Sequence, residues 1–371
     1  KKICCVCEQP NKYNQFVRHW SCIRSTIRAG SPSYEISNMG SAVNNIKKGA
    51  YTADDDIVDY ILGITFEIWE EGGVELIHQY YAEDSIVWGL DGITHSAAEV
   101  VDGTRATLRG FPDRLLLAEN VIWSGNRADG YYTSHRLLSL ATNKGPTVYG
   151  PATGRRIRMT NIADCLIEDG MIVKEWLVRD NMTLATQLGA EPLAAARDMA
   201  ERRSPELAQW IAGETTRVRA VEVPDSVNQP VTPREDPTAF AWRVLNSCWR
   251  GDRTVFDTTH APYSVLHRSP LRHYSGRDEV YGYYENLRRV MGDAHFSVDH
   301  VASQPFADNG IDIAVRWTAT GEHRGEVLGV PPTGKPMFIM GVTHWRCVND
   351  RISAERTVFD DLAVLSQTLV E

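Results

Sequence analysis

Behind the acidic run Asp54 to Asp56, the apolar residues Ile57, Tyr60, Ile61, Ile64 and Ile68 recur at the three- and four-residue spacing of one helix face. The carboxylates ahead of them supply the N-terminal cap that such a helix needs. The segment "DPTAFAWRVLNSCWRGD" at 236 to 252 has the same arrangement. Shorter helices are predicted around "HSAAEVVDGTRATLRGFPD" (95 to 113) and "SGRDEVYGYYENLRRVMGD" (275 to 293). After Gly130 and Gly310 the texture changes to strands, in "GYYTSHRLLSLAT" and "GIDIAVRWTAT" and then in the long segments 155 to 180 and 335 to 360. Each long segment divides at a residue pair that accepts positive φ, Asp169-Gly170 and Asn349-Asp350, and so predicts a β-hairpin. Helices followed by a long antiparallel sheet make an α+β class.

The two halves of this pattern are copies. "EWLVRDNMTLATQ" (175 to 187) returns as "ERTVFDDLAVLSQ" (355 to 367), so that Glu175, Asp180 and Gln187 correspond to Glu355, Asp360 and Gln367 at an offset of 180. The same offset joins Trp69 to Trp249, Glu99 to Glu279, Asp113 to Asp293, Gly130 to Gly310, Arg136 to Arg316, Gly145 to Gly325 and Gly154 to Gly334, without slipping. A period this long, present twice, means duplicated domains rather than a solenoid. The expected organisation is an arm over 1–50, a first domain over 51–190, a helical segment and Pro-containing linker over 191–235, and a second domain over 236–371.

Composition narrows the function classes. No run of about 18 apolar residues exists, because "IVDYILGITFEIW" carries Asp59 and Glu67, so no membrane span is expected. Residues 1–50 hold eight Lys and Arg against two Asp and Glu, leaving 31 basic and 46 acidic residues, a net −15, in the remainder. An acidic body repels phosphate backbones, which disfavours nucleic-acid binding by the two domains and leaves only a weak contribution to the small basic arm. No secretory leader pattern is seen, so the cytoplasm is the expected compartment. Cys165, Cys248 and Cys347 are scattered singly and read as reduced, buried thiols. In the arm, Cys4, Cys7, His19 and Cys22 have a spacing permissible for zinc. The competing reading is that residues 1 to 38, ahead of Met39, form no integral domain, and no metal is expected.

Residues 321–367, "GEHRGEVLGVPPTGKPMFIMGVTHWRCVNDRISAERTVFDDLAVLSQ", resemble the SnoaL-like polyketide cyclase (ester cyclase) branch of the NTF2-like superfamily. The family pattern runs roughly GTHxGxxxGxPPTGKxxxF, a hairpin, then ExWxxxDxxxxxxQLG. The first copy, "NKGPTVYGPATGRRIRMTNIADCLIEDGMIVKEWLVRDNMTLATQLG", is similar to the same family and keeps the EWxxxD and QLG parts better. It has Asn143 and Lys144 where the histidine motif stands; the second has Arg356 for Trp and Thr368-Leu369 for Leu-Gly.

The resemblance implies two tandem NTF2-like cones, each with N-terminal helices on a curved antiparallel sheet enclosing a pocket. It implies that the copies pair within the chain as a pseudo-dimer, and a further homodimer is compatible with it. It also implies a cofactor-independent enzyme in which the Asp of ExWxxxD, Asp180 or Asp360, is the acid/base of an aldol-type cyclisation or isomerisation of a carbonyl-bearing, polyketide-like substrate. An apolar cavity that desolvates the carboxylate would raise its pKa into the useful range.

Candidate partners on neighbouring strands are His135 and Asp164 in copy one and His323 and His344 in copy two. A two-residue hairpin turn puts Asp164 on the face of Glu175, and a three-residue loop puts it on the face of Asp180. Arg136, Trp176, Trp88, Arg316 and Trp317 are candidates for substrate binding. An alternative enzyme reading is epoxide or dehydratase chemistry through Asp164, Arg136 and Asp180; a non-catalytic binding or assembly module is the rival from another class. Plainer roles stand beside these: Asp180 as a helix cap, Glu175 and Glu355 as surface or interface charges, Gln187 and Gln367 as structural amides, Arg136 and Arg316 as salt-bridge residues, and Trp69, Trp249, Trp176 and Trp317 as packing.

Overall fold

The computed structural model describes residues 56–269 and 271–369. The arm, with the zinc candidates Cys4, Cys7, His19 and Cys22, lies outside them. Residues Tyr51–Glu371 form one compact unit.

Copy one begins with α1 (Ile57–Thr65), whose cap Asp56 accepts from the Val58 amide at 2.8 Å. A π turn (Phe66–Glu70) and a 3-10 turn (Val74–Leu76) lead through α2 (Ile77–Tyr80) to β1 (Tyr81–Gly89), β2 (Gly92–Thr94) and α3 (Ala97–Gly110). Then come β3 (Leu115–Asn126), β4 (Gly130–Thr142), β5 (Arg156–Glu168), β6 (Met171–Arg179) and α4 (Asn181–Leu188). The connection contains α5 (Pro192–Glu201) and α6 (Pro205–Arg219). Copy two repeats the order as α7 (Pro237–Arg250), α8 (Arg253–Thr259), β7 (His260–Ser269), β8 (Arg272–Ser275), α9 (Arg277–Val290), β9 (Met291–Phe306), β10 (Gly310–His323), β11 (Pro336–Val348), β12 (Arg351–Phe359) and α10 (Asp361–Gln367).

The two six-stranded sheets have the same strand order, β2-β1-β6-β5-β4-β3 and β8-β7-β12-β11-β10-β9. Each is mixed rather than purely antiparallel, because β1 joins β6, and β7 joins β12, in parallel. The sequence pattern does not reveal β1 to β3 as strands. In β1, "YAEDSIVWG", Glu83 and Asp84 are exposed one after the other, which hides the alternation of a half-buried strand.

The offset of 180 drops to 179 over β1 and β7 and returns to 180 by β2 and β8, where Ile93 pairs with Trp88 as His273 pairs with His267. Tyr81 pairs with Ile172 as His260 pairs with Ile352, an offset of 179 for the first residue and 180 for its partner. The caps Asp56 and Asp236 still stand 180 apart. Between cap and strand, copy one has the π turn where copy two continues as an α-helix, and a π turn absorbs one extra residue.

The repeated polar residues have separate duties. Asp180 and Asp360 cap α4 and α10. Gln187 and Gln367 latch those helices to the sheets: each amide donates to a strand carbonyl (Arg158, Phe338) and accepts from the same residue's N–H, all at 2.8 Å. Among the described residues no helix is long and apolar enough to cross a membrane.

Candidate active site

Which face each side chain takes is decided at the hairpins. The turns are the expected two-residue ones, with Asp169 at φ 49° and Gly170 at φ 77°. Past the turn, however, the register shifts between Leu166 and Ile167, so Asp164 pairs with Trp176 and Cys165 with Glu175. This bulge has the effect of the longer loop: Asp164 shares the face of Trp176, and Glu175 takes the opposite one. A bulge between Arg346 and Cys347 does the same in copy two, pairing His344 with Arg356 and Trp345 with Glu355.

One face of each sheet meets the other copy. There Asp164, fully buried, accepts from the hydroxyls of Tyr132 and Ser134, with Arg316 of copy two at 3.8 Å. His344 Nε2 lies 2.8 Å from Ser134 Oγ, and its Nδ1 is 3.0 Å from Arg136 Nη1. The guanidinium can only donate, so Nδ1 accepts and Nε2 carries the proton toward Ser134, which donates to Asp164. Burial, and then Arg136, holds the His344 pKa well below its ordinary value, consistent with this neutral tautomer. Burial likewise raises Asp164 to about 6, against the lowering effect of Arg316. Arg316 lies 3.7 Å over the Trp176 ring, which stacks on Trp88 at 5.3 Å.

Asp164, His344, Arg136, Arg316, Trp176 and Trp88 thus converge on the seam between the copies rather than around a cone interior. Arg316, not Arg136, faces Asp164, so the Asp164–Arg136–Asp180 set is not assembled. Asp180 sits at the same junction: its Oδ1 accepts from the Thr183 amide at 3.1 Å, and its charged neighbours Asp361 and Arg272 belong to copy two. Asp360 receives a 2.6 Å hydrogen bond from Asn181 of copy one. His323 braces a loop through Thr333, whose hydroxyl is 3.1 Å from Nδ1 and whose amide donates to it at 3.3 Å. Asn143 replaces that histidine in copy one, accepting from the Thr153 amide at 2.7 Å, so the departure from the family motif preserves the brace.

The opposite faces look into the two cones, and there the copies differ. Glu175 and Glu355 occupy the same register position inside them, both buried, rather than at a surface or interface. In copy one, Glu175 Oε2 accepts from Tyr81 at 2.7 Å, and burial raises its pKa. On the same face His135 is 3 % exposed, its Nε2 lacks a hydrogen-bond partner, and burial and Arg136 lower its pKa to about 3. The neighbours Ala163 and Leu177 on this face are only half-buried.

In copy two the corresponding Thr343 and Thr357 are each 1 % exposed. Trp345 stands where copy one has Cys165, and Val315 where it has His135. Trp317, a residue considered for substrate contact, donates to Thr343 at 2.9 Å and lies against Gly341, where a Cβ would come within 2.4 Å of its ring. Glu355 is held by Tyr284 and Thr357, and its Oε2 is 3.9 Å from His260 Nε2 with neither atom hydrogen-bonded. This second interior is packed shut with aromatic rings. Glu175, Tyr81, Glu355 and His260 are the functional candidates that sequence reasoning missed; the recurrence of Glu at 175 and 355 was the available signal. Among the described residues no group of three or more His, Cys, Asp and Glu converges as metal ligands.

The family model for SnoaL-like polyketide cyclases matches residues 61–188 and again 240–368. No functionally curated protein matches the sequence. Among solved structures the chain is similar to IdmH of Streptomyces antibioticus, proposed to be a polyketide cyclase, at 24% identity over 36% of this chain and 99% of that one, with a TM-score of 0.31. TsrD of Streptomyces laurentii is similar at 20% identity over 36% of this chain and 96% of its own, TM-score 0.33. A protein of Catenulispora acidiphila with a ketosteroid isomerase-like fold is similar at 13% over 38% and 96%, TM-score 0.30. The two matched segments together exceed half the chain and coincide with the two cones, so the protein belongs to the SnoaL-like polyketide cyclase family and carries its NTF2-like domain twice.

Proposed function

We propose that the chain is a cofactor-independent, cyclase-type enzyme that rearranges a carbonyl-bearing, largely apolar small molecule, and that the reaction space is the cone of copy one with Glu175 as proton carrier. The observation that carries this reading is the contrast at one register position: beside Glu175 stand Cys165 and the half-buried Ala163 and Leu177, while beside Glu355 stand Trp345 and the sealed Thr343 and Thr357. A substrate needs room, and the partial exposure of Ala163 and Leu177 favours the first interior over the second.

Desolvation keeps the Glu175 pKa high, so the group can take a proton from carbon next to a carbonyl and return it without being a permanently weak base. Tyr81, whose own pKa burial and Glu175 raise far above the ordinary phenol value, holds the carboxylate in place as a fixed donor. His135, kept neutral, can present an N–H to a developing enolate oxygen through its unpartnered Nε2.

A second reading places the chemistry in copy two, where Glu355 and His260 face each other without a hydrogen bond. Turnover by Glu175→Gln and Glu355→Gln of a polyketide-type β-dicarbonyl test substrate decides between the two. A loss of about 10²-fold or more confined to Glu175→Gln supports copy one; the same loss confined to Glu355→Gln moves the site, and full activity in both rejects glutamate catalysis.

A further inference from the structure

Between the copies runs a groove of about 300 Å³, lined among others by Glu119, Leu138 and Arg158 of copy one and by His267, Arg268, His273 and Arg356 of copy two. It lies outside both cones. Its charges do not balance. Glu119 is engaged by Arg136 at 2.9 Å, and Arg268 by Asp361 at 3.1 Å. His267 and His273 meet through their Nδ1 atoms at 2.9 Å. Among the described residues, the guanidiniums of the exposed Arg158 and the half-buried Arg356 have no hydrogen-bond or ion-pair partner. Burial, and then Arg136, lowers the Arg356 pKa to about 10, and the nearby Glu119 and Asp312 carboxylates offset this only in part.

The duplication supplies an internal comparison. Register by register, Arg158 corresponds to Phe338, Arg356 to Trp176, His267 to Trp88, His273 to Ile93 and Glu119 to Asp299. On that side the groove is covered: α6 lies against β2, β9, β10 and β11, Trp210 packs edge-on against Phe338, and Arg217 meets Asp299 at 3.1 Å and Thr318 at 3.0 Å. Where the positions are apolar, the chain's own helix covers them and provides a cation for the one carboxylate. Where they are Arg and His, nothing in the described chain covers them, and the positive charge is left to be met from outside.

We propose that the open groove is a binding site for a small oxyanion of two or more negative charges, a polycarboxylate or a phosphate-bearing molecule, held between Arg158 and Arg356. Two guanidinium forks match paired oxygens of either group, and the groove's volume suits a compact ligand.

The test uses the full chain with inorganic pyrophosphate and with citrate, titrated calorimetrically at an ionic strength fixed with sodium chloride. Saturable binding of one equivalent is expected for at least one of them, weakened tenfold or more in Arg158→Gln and in Arg356→Gln. Both side chains are unpartnered, so the variants should fold, which near-UV circular dichroism checks. Pyrophosphate alone identifies a phosphate-bearing ligand, citrate alone a polycarboxylate, and both a site selecting charge. Absence of saturable binding by either anion, or binding that both substitutions leave unchanged, overturns the proposal.

Discussion

Cys165 and Trp345 occupy one register position in the two sheets, the first paired with Glu175 and the second with Glu355. The thiol is far smaller than the indole, 1 % exposed, that stands in its place. Deleting the larger side chain should therefore cost far more. Trp345→Ala is expected to destabilise the chain by about 3–5 kcal/mol, and Cys165→Ala by about 1 kcal/mol or less, in urea denaturation. Equal losses would contradict a second cone filled around Trp345.

Asp180 separates capping from catalysis. Asp180→Ala removes the acceptor for the Thr183 amide and should cost about 1 kcal/mol, whereas Asp180→Asn keeps it and should leave stability nearly unchanged. With Glu175 as proton carrier, Asp180→Asn should also keep kcat/KM within about two-fold. A loss near 10²-fold would return the acid/base role to this aspartate.

Asp360 gives the protein a pH dependence of definite sign. Burial first, and then Asp91, raises its pKa to about 8, against about 3.9 in an unfolded chain. Between these values the folded state holds a proton that the unfolded state has released, so stability falls as pH rises. The contribution is whole below the unfolded value and lost once pH passes about 8. Asp360→Asn keeps the cap without the titration. Relative to that variant, wild type should lose up to about 1.4 kcal/mol per pH unit across the window, measured by urea titrations at pH 5, 6.5 and 8.5. A constant difference would refute the shift.

The seam between the copies should behave as structure. Asp164→Ala leaves the buried Tyr132 and Ser134 and the half-buried Arg316 without their common acceptor, and about 3–5 kcal/mol of stability should be lost. Turnover per folded molecule should be unchanged. A selective fall in kcat with stability intact would place Asp164 in the chemistry instead.

Much of this arrangement was legible in the sequence. The duplication, the helices opening each copy, both hairpin turns and the latching glutamines follow from local spacing and turn chemistry. The faces did not. A bulge at Leu166–Ile167 costs no distinctive residue, yet it exchanges the sides taken by Asp164 and Glu175, and with them the seam and the cone. The family motif drew notice to Asp180, while the interior carboxylate lay five residues earlier. The pairing of Tyr81 with Glu175 joins residues 94 apart in the chain, and no periodicity reports such a contact.

The placement of α6 has a consequence for how the molecule can vary. In an assembly of two identical chains, a helix encoded once is displayed twice, and both lateral clefts must be roofed or bare together. Fusing the copies end to end gives each cleft its own codons and supplies a single tether that can shelter only one. A base change that alters Arg356 leaves Trp176 as it was. The two sides can therefore acquire different ligands, or lose them, without either mutation being imposed on its mate.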